Sequence, residues 1–117
     1  MPDYPSLNRT ALIVKPLKPY WDWANNIEDG VPREQKNFNK TETDTTVYLI
    51  PCLHPDKVSG HIEVMFSGIF EDELNAWWTN RKDWPKGRTF PVFKEWFEVS
   101  VAPQVYDTME EEQITKH

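Results

Sequence analysis

The sequence predicts an α/β fold, with α+β as the neighbouring class, built on a small sheet of three or four strands with helices packed mainly on one face. Three observations carry this. Two short β-rich runs, at 11–14 and 45–50, are separated by a helical pattern. A long stretch at 58–78 repeats apolar residues at spacings of three and four. A last segment, 97–102, alternates apolar and polar residues.

The first run, Ala11-Leu12-Ile13-Val14, is continuous and apolar and closes at Pro16, as a strand covered on both faces would. Lys18-Pro19 then opens a short helix, because proline costs no hydrogen bond in a first turn. Tyr20, Trp23, Ala24 and Ile27 share one face of it, and Trp21 and Asp22 fall off that face. Residues 28–44 are polar and carry Gly30 and Pro32, which predicts a long mobile loop.

The second run, 45–50, ends at Pro51 and again predicts a strand buried on both faces. His54-Pro55-Asp56 starts the long helix, in which Val58, Ile62, Met65, Phe66, Ile69, Phe70, Leu74, Trp77 and Trp78 repeat at helical spacing. Gly60 and Gly68 interrupt it and predict a close approach to the sheet or a bend. Thr89 caps a further short helix through Phe93 and Trp96. Strand 97–102 follows, with Phe97, Val99 and Val101 on one side. The order is β-α-β-α-α-β. A helix joins the first two strands, so a parallel pair with a right-handed crossover is expected, and the third strand fits either direction.

The domain expected at 1–107 is followed by an acidic flexible tail at 108–117. The 117 residues suffice for one modest core, and an aromatic share of 14% compensates for few aliphatics. A net charge of −6 argues against nucleic acid and anionic membrane as partners and favours a basic protein. Cys52 has no second cysteine to pair with, which fits a reducing, cytoplasmic location. The first 14 residues lack the apolar core of a signal peptide, and no run is long enough to span a bilayer.

The segments at 8–16, Trp23-Ala24 and 47–51, with Trp84-Pro85-Lys86-Gly87-Arg88-Thr89 and Phe93-Lys94-Glu95-Trp96-Phe97, resemble a family of small bacterial cytosolic proteins of unknown function. The W-P-x-x-R-T…F-x-x-W-F stretch is the most specific part. The resemblance implies the same element order and supplies no catalytic residue.

Chemistry-bearing clusters are sparse. Cys52, His54 and His61 lack a fourth ligand for zinc, and the two histidines stand about 10 Å apart along a helix. No oriented base or oxyanion loop accompanies Cys52, so no catalytic residue, metal or cofactor is assigned. Glu71, Asp72 and Glu73 diverge on a helix and predict a solvated face. The strongest binding candidates are Trp77, Trp78, Arg81, Trp84 and Arg88, residue types that dominate interaction hot spots. The competing reading is that these indoles close the core while Arg88 pairs with Asp83 or Glu71. Trp21 and Asp22, with an exposed indole beside a carboxylate, are secondary candidates.

The favoured function is a non-catalytic protein-interaction module, of the kind an acidic inhibitor or immunity protein represents. The alternative is a small enzyme or ligand-binding domain with a pocket near Pro51, Cys52 and His54. A homodimer formed through strand 97–102 is a third arrangement.

Overall fold

The computed structural model describes residues 4–27, 45–109 and 111–117. The loop expected at 28–44 lies outside the described residues. The elements run β1 (Arg9–Pro16), α1 (Lys18–Asn25), β2 (Thr46–Pro51), α2 (Pro55–Trp77), a 3₁₀ turn (Arg81–Asp83), α3 (Phe90–Trp96) and β3 (Phe97–Ala102). This is a mixed α/β fold with a three-stranded sheet and helices packed on one face, as the sequence predicts.

The sheet is antiparallel, which corrects the parallel pair expected for the first two strands. Its order is β2-β1-β3, with Val14 opposite Thr46 and Pro16 opposite Phe97. β1 spans about 26 Å, whereas the eight residues of α1 rise only about 12 Å. α1 covers less than half of a return to the start of β1, and β2 begins at the end where β1 finished. The 23 residues of α2, about 35 Å long, do make the return journey, and β3 then starts from that same end.

Strand burial follows from position. β1 is central, and Thr10, Ala11, Leu12 and Val14 are all buried. β2 was expected to be buried on both faces and is not. As an edge strand it buries Ile50 on the helix side and leaves Val47 and Leu49 about half exposed on the other, at 56% and 49%. Beyond the named strands, Ser6 bridges Tyr106, and the Leu7 N–H donates to the Val105 carbonyl at 2.7 Å.

The core gathers Leu12, Val14, Ile50 and Phe97 from the sheet under Ile69, Phe70 and Leu74 of α2 and Phe93 of α3. Phe70 is its hub, with ring centroids 5.3 Å from Phe97, 5.5 Å from Trp96 and 6.0 Å from Phe93. Thr89 caps α3 as expected, its Oγ1 accepting from the Val92 N–H at 3.4 Å. The glycines of α2 do not mark a close approach. Gly60 and Gly68 are exposed, and a methyl group at either would meet nothing within 4 Å.

The buried face of α1 is rotated from the one expected. It carries Tyr20, Trp21, Ala24 and Asn25, while Trp23 sits half-buried at the margin. Trp21 is therefore not an exposed indole. It is 6% exposed and meets Trp77 edge-on, with ring centroids 5.6 Å apart. The cause is tertiary: α1 faces the end of α2 as well as the sheet, so two of its sides are covered. Asp22 stays in solvent, paired with Lys18 at 2.7 Å.

Candidate functional site

The sequence singled out residues 77–88, and the structure brings five of them into one network with Glu71. Arg81 Nη2 donates to Glu71 Oε1 at 2.9 Å, and Arg88 Nη2 lies 3.7 Å from Glu71 Oε2. Both guanidinium carbons stand over the Trp84 ring, at 4.8 Å for Arg81 and 5.7 Å for Arg88. Trp84 is buried, and its indole N–H donates to the Trp78 carbonyl at 2.8 Å. Trp78 donates in turn to Asp83 Oδ2 at 2.8 Å, and Trp77 to the Ala24 carbonyl at 3.2 Å. Each indole N–H and both guanidinium groups thus have partners inside the chain. The segment works chemically as a brace that ties the end of α2 to the turn before α3.

The three carboxylates 71–73 are not the divergent, solvated face expected, because Asp72 and Glu73 converge on one hydroxyl. Glu71 holds the two arginines. Asp72 accepts from the Tyr48 hydroxyl at 2.7 Å, and Glu73, only 5% exposed, lies 3.3 Å from the same hydroxyl. Burial, the hydrogen bond to Asp72 and the nearby negative charges hold the Tyr48 phenol well above its ordinary value. Tyr48 is therefore a protonated donor at physiological pH, a structural peg between β2 and α2.

At the other end of β2, Cys52 is a free, exposed thiol, and the exposed His54 pairs with Asp56. His61 is half-buried one helical segment further on. Among the described residues, no group of three or more histidine, cysteine or carboxylate side chains is placed to hold a metal.

The feature that sequence reasoning missed is an apolar groove of about 610 Å³ between the first half of α2, α3 and β3. Val58 and Ile62 of α2 form one wall, Phe90 and Phe93 of α3 the other, and Val99 and Val101 of β3 the floor. It starts at Leu53 and Pro55, close to the expected pocket, but neither Cys52 nor His54 lines it. Its origin is the uneven burial of α2. Ile69, Phe70 and Leu74 pin the second half of α2 to the core, whereas Val58 is the only buried residue of its first three turns. Val101, which shares the core side of the sheet with buried Leu12, stays 44% exposed as a result. The only sequence signal was an apolar stripe on α2 longer than one short sheet covers.

Charge at the groove is slight. The Lys94 ammonium lies 4.9 Å over the Phe90 ring. Glu98 is exposed and has no ion pair within 4 Å among the described residues. No described helix is long and apolar enough to cross a membrane. The chain matches no family model, no curated protein and no solved structure.

Proposed function

We propose that this protein is a non-catalytic interaction module that receives an apolar segment of a protein partner in the groove between α2, α3 and β3. The observation that supports this is the groove itself: about 610 Å³, walled by valine, isoleucine and phenylalanine, between the first half of α2, α3 and β3. Apolar surface of this kind gains roughly 25 cal/mol for each Å² removed from water, so a partner's side chains have a driving force to enter. The net charge of −6 favours a basic partner and fast, salt-sensitive encounter. A single exposed thiol, Cys52, fits a reducing cytoplasmic setting. Residues 77–88 enter this reading as the support that fixes α2, since their polar groups are engaged within the chain.

A small apolar ligand is the second reading, because the groove volume falls within the range that such ligands occupy. The test is affinity capture from native lysate with the wild-type chain, Val101→Lys and Ile62→Lys. The expected result is a protein retained by the wild type, lost by both variants, and eluted by raised salt. Identical captures by folded wild type and variants would overturn the proposal. An apolar small molecule extracted from the wild type alone would favour the second reading.

A further inference from the structure

We infer that the partner enters as an extended strand that pairs with the free edge of β3. Its alternate apolar side chains would lie beside Val99 and Val101 in the groove, and a lysine or arginine would lie beside Glu98 on the opposite face. The inference rests on the groove reading above and specifies the form and charge of what fills it.

Three observations carry it. First, β3 has β1 as its one neighbour among the described residues, so its outer edge presents unpaired backbone N–H and C=O groups over six residues, about 20 Å. No proline or basic side chain, the usual protections of an edge, lies within Phe97–Ala102. Second, the groove follows that strand and not the other edge. Phe97, Val99 and Val101 all line it, whereas Tyr48 on β2 is tied down by Asp72. A strand added to β3 therefore brings every second side chain to the groove, which is how edge-strand recognition combines backbone affinity with side-chain choice.

Third, charge selects the occupant. Glu98 borders the groove at the β3 edge, and strand alternation directs its side chain away from the helices, to the side where Lys15 stands opposite it on β1. It is the only charged side chain of β3, it makes no ion pair within 4 Å among the described residues, and it belongs to a chain of net charge −6. A cation on the incoming strand completes a cross-strand pair. A second copy of this chain, itself of net charge −6, adds no further cation, because β3 paired with its own mate would bring two Glu98 carboxylates to one face with only the Lys15 that already stands opposite each.

A random-peptide display library tests this when panned on the whole chain and counter-selected on Val101→Lys. Enriched peptides are expected to alternate apolar residues, with lysine or arginine between them. N-methylation of one alternate set of backbone amides should weaken the best peptide at least about tenfold, the other set leaving it nearly unchanged, because only one set faces β3. Glu98→Gln should weaken it about threefold. Enriched peptides with apolar spacing of three and four would overturn strand addition and leave the groove reading standing. No enrichment over Val101→Lys would overturn both. A concentration-dependent dimer abolished by Val101→Lys would make a second copy the occupant and overturn the proposal.

Discussion

Glu71 and Arg81 join 2.9 Å apart across the end of α2, and that guanidinium and the one on Arg88 both stand over the buried indole of Trp84. The carboxylate orders two cations, and the cations cover a ring. Energetic weight in this cluster belongs to the ring. Trp84→Ala is expected to cost about 3–5 kcal/mol, through lost burial and an empty cavity. Arg81→Ala and Glu71→Gln should each cost about 1 kcal/mol or less, because both groups are partly in water. Urea denaturation of the three variants checks the order. An Arg81→Ala loss as large as that of Trp84→Ala would contradict it.

Gly60 and Gly68 sit inside a helix with open space around them. Replacing either by alanine should stabilise the protein by about 1 kcal/mol, since alanine holds helical backbone at lower entropic cost and nothing obstructs its methyl group. Thermal melts should show both variants above wild type and additive in combination. A drop in melting temperature for either would mean that it meets a neighbour absent from these contacts.

The Tyr48 phenol is held protonated in the folded state, above the ordinary tyrosine value of about 10. Because the folded value is raised, its contribution to stability is complete below about pH 10 and declines as pH climbs beyond that towards the folded value. Wild type should therefore lose stability above about pH 10 more steeply than Tyr48→Phe. At neutral pH the variant should lie about 1 kcal/mol below wild type, for one lost hydrogen bond. Paired denaturation curves at neutral and alkaline pH read both effects, and parallel pH profiles would refute the assignment.

The groove should register an environment-sensitive apolar dye. Wild type is expected to raise the fluorescence of anilinonaphthalene sulfonate, and Val101→Lys or Ile62→Lys to abolish most of the rise. Val101 is 44% exposed, so its replacement should cost within about 1 kcal/mol of stability, and circular dichroism should be unchanged. Equal dye response in folded wild type and variants would show that the groove does not bind it.

Much of this molecule is written in local pattern. The Thr89 cap, the alternation of 97–102 and the helical spacing of 58–78 all name their elements correctly, because capping, strand pleat and helical pitch act over a few residues. The convergence of Arg81, Trp84 and Arg88 was also legible, since they lie close in the chain. Glu71 was named in advance as one of two partners for Arg88, but that it also holds Arg81 was not legible, since it belongs to the preceding helix.

By itself, then, the sequence determined the order and kind of the elements, the acidity and the single thiol. Tertiary structure decided the direction of β2, the burial of Trp21 and Glu73, and the opening beside Val101. Each depends on pairings and faces compared across the whole fold: β2 pairs back from the end where β1 finished, α1 is covered on two sides, and α2 outruns the core that anchors it. The groove exists because of that last mismatch, and no window of neighbouring residues contains it.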